Sequence, residues 1–381
     1  MSKLEELLKE YCPNGVEYKA LSEIATIIRG DRITKKEIVE TGLFPVVSGG
    51  QQPMGRYDRY NREANTITIS SYGAAGYVDF QTETFWANDV CLSVFPGNEV
   101  ENKYLYYYLK NQQFYLYSRT TKAIPDHLPT EVLKELQVPL PALPVQREIV
   151  RVLDSFTLYC AELTAELTAR RKQYEFYRDK LLNVHRIKKV RLSECCYFQN
   201  GIALKSNLFT KAGAPILRIT NITNSGQLSM SDCVYFNLSD YKENLSQYIV
   251  RKGDIVIAMS GATTGKIGWN YDDKIYYLNQ RVGKFIPQEN ILNGRFLYHW
   301  LQLKQVEILQ SAFGSGAQPN LSSRTMMNFE ISVPPLEVQE RIVKVLDNFD
   351  AICSDLGIGL PAEMEKRQKQ YEYYRDKLLT F

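Results

Sequence analysis

At 381 residues, with 44% hydrophobic and 23% charged side chains, the chain has an ordinary soluble composition and room for two or three domains with cores of their own. No apolar run approaches the ~18 residues that a membrane span needs. Seven scattered cysteines with no CxxC, beside only three histidines, argue against a zinc site and for reduced thiols in the cytoplasm. The net charge of +3 is unevenly spread: residues 185–330 carry 17 basic and 10 acidic side chains, whereas 1–137 carry 15 and 18. A basic segment of this size is compatible with a polyanion partner without demanding one.

In chain order, MSKLEELLKEYCPNG lacks a secretory apolar stretch and predicts a short surface helix. Strand-like TITIS (66–70) and VCLSVF (90–95) follow, then an aromatic helix, KYLYYYLKN (103–111). The loop SGGQQPMGRYDRYNR (48–62) interleaves Gln51, Gln52, Arg56, Arg59 and Arg62 with tyrosines, and SRTTKAIPDH (118–127) adds Arg119 and Lys122. Gln and Arg form bidentate pairs with adenine and guanine edges, and cationic side chains contact phosphates. After a charged, leucine-spaced helix the same kinds of element return: strands IVIAM (255–259) and KIYYL (274–278), and the helix RFLYHWLQL (295–303). Four loops of the second half carry candidate recognition chemistry. LRITNITNSG supplies Arg218 and Asn221, SGATTGK supplies Thr263 and Lys266, NQR supplies Gln280 and Arg281, and GSGAQPN supplies Gln318 and Asn320.

The second half repeats the first. LPVQREIVRVLDSFTLYCAEL (143–163) matches LEVQERIVKVLDNFDAICSDL (336–356) at 11 of 21 positions, and ARRKQYEFYRDKLL (169–182) matches KRQKQYEYYRDKLL (366–379) at 11 of 14. Fainter parallels run through the domains, as in VEYKALSEIATIIRG with IKKVRLSECCYFQNG, TITISSYGAAG with IVIAMSGATTG, and Asn88-Asp89-Val90 with Asn279-Gln280-Arg281-Val282. Phe156, Cys160, Leu163, Leu167, Tyr174, Tyr177 and Leu181 form a heptad-like seam, echoed by Phe349, Cys353, Leu356, Leu360, Met364, Tyr371, Tyr374 and Leu378. Four residues gained in the second copy act as a stutter. Gly357, Gly359 and Pro361 warn of a break there, with Leu-Pro-Ala-Glu at 360–363 as a fresh start. The economical arrangement pairs the two helices antiparallel between two similar domains. A helix over 156–182 is ~40 Å long at 1.5 Å per residue, just over the ~34–36 Å between half-sites read from one face of B-DNA.

No catalytic constellation emerges. SGATTGK has three residues between its glycines where a phosphate loop has four, and Ile267 follows the lysine in place of Ser or Thr. Pro125-Asp126 lacks the acidic-x-Lys of a metal nuclease, and no methyltransferase tetrapeptide, GxSxG elbow or triad is present. Three readings of the residues stand open at this point: a DNA-recognition subunit, a scaffold gripping two copies of a protein, and a nuclease.

PLPALPVQREIVRVLD with RRKQYEFYRDKLL, and SVPPLEVQERIVKVLD with RQKQYEYYRDKLL, resemble the central and C-terminal conserved regions of the specificity (S) subunits of type I restriction–modification systems. AELTAELTA (161–169) is similar to the four-residue helical repeat of some members. The resemblance implies an α+β fold with two similar mixed α/β target recognition domains separated by two long antiparallel helices in a coiled coil, related by an internal pseudo-twofold repeat. Its segments are 1–137, 138–184, 185–330 and 331–381. It implies a bipartite asymmetric double-stranded DNA target, with helices that set the spacer and help seat two modification (methyltransferase) subunits. Phe156, Leu163, Leu167, Tyr174, Tyr177, Leu181, Phe349, Leu356, Tyr371, Tyr374 and Leu378 serve that pairing and docking. The chain itself is then non-catalytic, without metal or cofactor. S-adenosylmethionine, ATP and Mg belong to the modification and restriction (translocase/nuclease) subunits.

Overall fold

A computed structural model describes residues 3–39, 41–121, 124–183, 187–313, 319–354 and 359–381. The chain divides into two compact units, Met1–Leu163 with Met364–Phe381, and Thr164–Glu363. The first division falls inside one uninterrupted helix, Leu143–Leu182. It begins earlier than the seam predicts, with Pro144 in its first turn, where a missing N–H costs nothing.

The first unit contains an antiparallel sheet ordered Ala25–Arg29, Cys91–Pro96, Thr66–Ser70, Val78–Gln81. A smaller sheet joins Arg56–Tyr57, Phe44–Val47 and Trp86–Ala87, the last pair parallel. In the main sheet Ile67, Ile69 and Val94 face the core shared with Tyr104, Leu105 and Leu109 of the helix Asn102–Asn111. Thr66, Thr68, Ser70 and Ser93 alternate with them, as the two-residue period of a strand requires. A short ladder of Tyr18–Ala20 with Gln137–Pro139 ties the two ends of the domain together.

The second unit repeats this plan. Its main sheet is Cys196–Asn200, Val282–Pro287, Ile255–Ala258, Ile267–Trp269, and Lys189–Arg191 pairs with Glu330–Ser332. Its smaller sheet runs Val234–Phe236, Ala214–Leu217, Tyr276–Leu278, Ile249–Val250, again with a parallel pair inside. One difference matters. Ile255 and Ile257 face one apolar cluster while Val256 and Ala258 face another, so the strand is hydrophobic on both sides, as a doubly covered strand must be.

Within each unit two helical segments pack antiparallel. In the first, Phe156 stacks on Tyr374 at 5.5 Å and the Arg367 guanidinium lies 4.9 Å over Tyr159, so numbers rise on one helix as they fall on the other. In the second, Phe349 meets Tyr174 at 6.3 Å and Tyr177 at 5.6 Å, and Leu181 lies beside Val338, Ile342 and Val345. Leu163 and Leu167 are buried. The leucine of each final pair that is buried most deeply is the second: Leu182 and Leu379 are 1% and 3% exposed, whereas Leu181 and Leu378 are only half-buried. The second helical region is two helices, Leu336–Ser354 and Leu360–Leu379, the latter opening at the expected Leu-Pro-Ala-Glu. Leu356 lies outside the described residues.

A side chain given no role on sequence grounds fixes each helix to its domain. Gln146, fully buried, accepts from the Glu101 amide at 2.7 Å and donates to the Glu99 and Pro141 carbonyls. Gln339 does the same with the Asn293 amide and the Ile291 and Pro334 carbonyls. Three orphan backbone groups are thereby satisfied by one amide in each unit.

Candidate nucleic-acid interface

At the loop end of each domain one set of backbone hydrogen bonds holds the candidate loops together. In the first unit Leu128 donates to the Ser71 carbonyl, Ser71 to Val90, Asn88 to Val47, Cys91 to Asn88 and Gly30 to Cys91, all at 2.8–3.0 Å. In the second, Leu321 donates to Met259, Met259 to Arg281, Asn279 to Leu217, Val282 to Asn279 and Gly201 to Val282, at 2.7–3.1 Å. Gly30 and Gly201 occupy corresponding places because an added Cβ would sit 2.2 Å from the Asn88 carbonyl oxygen and 2.0 Å from that of Asn279. Only glycine lets the two backbones approach so closely.

The frame is shared, but the side chains it displays are not. Position by position it presents Ser48 against Arg218, Tyr72 against Ser260, Asp89 against Gln280, Val90 against Arg281, and His127 against Asn320. In the first unit Tyr72 stacks on His127 at 4.3 Å, His127 pairs with Thr121, and the Tyr72 carbonyl packs against Gly49. In the second unit the Thr263 hydroxyl reaches the Ile219 carbonyl and Thr264 the Pro319 carbonyl. Arg218, Thr263, Gln280, Arg281 and Asn320, scattered over about a hundred residues of sequence, thus lie on loops that meet.

The sequence candidates divide by what their polar atoms already hold. Gln51, Gln52, Arg59, Gln280, Arg281 and Asn320 are exposed, and Arg119 is exposed with its guanidinium 5.0 Å over Tyr115. Thr263 and Lys266 are half-buried. Arg56, which is exposed, and Arg62 both hold their own loops. Arg56 donates to the Gly42 carbonyl at 2.7 Å and to that of Leu43, and Arg62 donates to Ser93 Oγ and to the Asn61 and Arg29 carbonyls. Asn221, 2% exposed, accepts from the Arg218 amide and donates to the Ser229 carbonyl, so it shapes its loop and has no free edge for a base. Arg218 is half-buried, donating through Nη2 to the Asp232 carbonyl. Lys122 and Gln318 lie outside the described residues. Composition could not separate these roles, because an arginine bound to its own backbone spells the same as one facing solvent.

A second polar site ties the repeated helix motif to its domain. In the second unit Asp347 accepts from His299 Nε2 and from Arg295 Nε, both at 2.7 Å, and the Tyr174 hydroxyl lies 3.2 Å from His299 Nδ1. Burial pushes His299 down against the bond to Asp347. Burial opposes the charge on Asp347, but the His299 bond and Arg295 hold its carboxyl below the usual range. A neutral imidazole with Nε2 protonated fits both partners, since Nδ1 then accepts from Tyr174. In the first unit Lys103 and Tyr107 meet Asp154 at 2.8 and 2.6 Å in the same places. Burial drives the thiols of Cys91 and Cys196 up to about 12, so neither is a nucleophile. Among the described residues no group of three His, Cys, Asp or Glu is placed to hold a metal, and no helix is long and apolar enough to cross a membrane.

The doubled frame has relatives. The family model for the type I restriction modification DNA specificity domain matches twice, over residues 13–170 and 186–366. The chain belongs to that family. A Haemophilus influenzae protein described as a type I restriction enzyme specificity subunit is 30% identical over 99% of this chain and 98% of its own length. The EcoR124I/EcoR124II specificity subunit of Escherichia coli is 29% identical over 100% and 97%. In fold the chain is similar to the crystal structure of a type I restriction–modification S subunit from M. genitalium, with a TM-score of 0.67 at 20% identity over 96% of both chains. The α+β architecture of two similar mixed domains with a long central helix is that of this family.

Proposed function

We propose that the chain is the DNA sequence-specificity subunit of a type I restriction–modification complex. Each domain reads one half of a bipartite, asymmetric double-stranded target, and the helices fix the unspecified spacer between them. The observation that carries this reading is the identical hydrogen-bonded frame displaying different side chains at Ser48/Arg218, Tyr72/Ser260, Asp89/Gln280, Val90/Arg281 and His127/Asn320. Unlike half-sites need unlike edges presented on a common geometry. Gln51, Gln52, Arg281 and Gln280 supply base-edge chemistry, and Arg59, Arg119 and Lys266 supply phosphate contacts.

The chain does no chemistry itself. Two modification subunits bring S-adenosylmethionine and methylate adenine, and restriction subunits bring ATP-driven translocation and cleavage, all in the cytoplasm. Two identical partners explain why QYEFYRDKLL and QYEYYRDKLL are kept nearly unchanged while the loops differ. A fluorescence titration with co-expressed modification subunit tests the reading, with sequence-dependent binding expected on a bipartite target. Binding indifferent to sequence, or none, overturns it.

A further inference from the structure

The repeat places two equivalent surfaces on the molecule, and they are finished differently. Position 143 matches 336, so Val145 corresponds to Val338, Glu148 to Arg341, Arg151 to Lys344 and Val152 to Val345. In the first unit the helix Lys3–Tyr11 covers this face. Leu4, Leu7 and Leu8 pack on the core that contains Val145 and Ile149, and Lys3 pairs with Glu148 at 3.2 Å. Val145 is 0% exposed and the Glu148 side chain 5%. Among the described residues the second unit has no such helix, and Leu181, Val338, Ile342 and Val345 floor an open groove. Val338 and Val345 are 37% and 42% exposed. Arg341 and Lys344 stand at the rim, exposed and with no ion pair among the described residues.

We infer that this groove seats an amphipathic helix of the partner subunit, with a carboxylate where Lys3 stands in the first unit. The inference rests on the functional reading above and adds to it that the two partner copies dock unequally. The occupant is specified by the molecule's own example. A helix with apolar residues three and four apart fills the first face, and the charge at its anchoring position is inverted in the second, from Glu148 to Arg341. The filled face offers a partner the outer side of Lys3–Tyr11, whereas the open face offers bare apolar surface with two unpaired cations.

Two experiments on the full chain decide it. In the first, a labelled peptide of residues 3–15 and its Lys3→Glu form are titrated against the wild type and against Arg341→Glu. The acidic peptide is expected to bind the wild type several-fold more tightly than the native peptide, with the preference reversed on the variant. No saturable binding, or the same preference on both chains, overturns the groove as a helix site. In the second, the chain is co-purified with its modification subunit and weighed by native mass spectrometry. Two copies are expected on the wild type and one on the double variant Val338→Asp, Arg341→Glu. Two copies on that folded variant overturn the unequal docking. A wild type that carries no modification subunit overturns the functional reading instead, and the peptide pair then judges the groove alone.

Discussion

Gln146 and Gln339 show how much one buried amide can fix. Each satisfies an amide and two carbonyls where strand, loop and helix meet. Replacing either by Leu strands those groups at ~1–3 kcal/mol apiece, less whatever water can reach. We expect Gln146→Leu and Gln339→Leu each to lose about 2–4 kcal/mol in urea unfolding, and a loss below about 1 kcal/mol would show the clamp to be dispensable. Arg62 and Arg281 make a contrasting pair. Arg62→Ala should lower the melting temperature because its guanidinium is spent on Ser93, Asn61 and Arg29. Arg281→Ala should leave melting unchanged and weaken target binding by about 1–3 kcal/mol, roughly 5- to 150-fold. His299 gives the second unit a pH dependence. Its folded pKa lies below the unfolded value of ~6.5, so the unfolded state takes up the proton first. Stability present above that value falls as pH drops from 7 towards 5. His299→Gln should flatten that segment of the unfolding-versus-pH curve, and an unchanged slope would assign it to other groups.

At the scale of elements, the strands and helices with strong periodicity were legible in the sequence. TITIS became Thr66–Ser70, VCLSVF became Cys91–Pro96, and both aromatic helices formed where expected. The start of the last helix at Leu360 was legible from Pro361 in its first turn, because proline acts on the local backbone, while Gly357 lies outside the described residues. The choice between Leu181 and Leu182 was not, since a seam read from spacing cannot tell which of two adjacent leucines the domain above it will cover. Nor could spacing reveal that Arg56, Arg62 and Asn221 hold their own loops, for those bonds depend on long-range folding. The meeting of the loops at 217–221, 259–266, 279–281 and 319–321 was visible only as a list of polar segments until the frame joined them. One prediction belongs to this scale. Adding one AELT unit to AELTAELTA lengthens the helix by ~6 Å, one or two base-pair steps of ~3.4 Å. Methylation sites in such a variant should keep both half-sites and gain spacer, and altered half-sites would refute the ruler.

Over the whole molecule, the doubled helix motif takes its meaning from the core that each copy joins. Leu182 and Tyr174, from the first copy of the motif, join the core of the unit that contains the second domain. Leu379 and Tyr371, from the second copy, join the core of the unit that contains the first. Each domain is therefore completed by the helix motif of the other repeat. Exchanging residues 16–137 for the corresponding domain of another specificity subunit should change one half-site and leave the other and the spacer intact. The most direct measurement is single-molecule sequencing of adenine methylation in cells that carry the modification subunit, with and without this chain. Methylation on one bipartite, asymmetric motif that disappears with the chain is the predicted result. Methylation that persists without it, or that falls on an uninterrupted motif, would contradict the assignment of two separate readers.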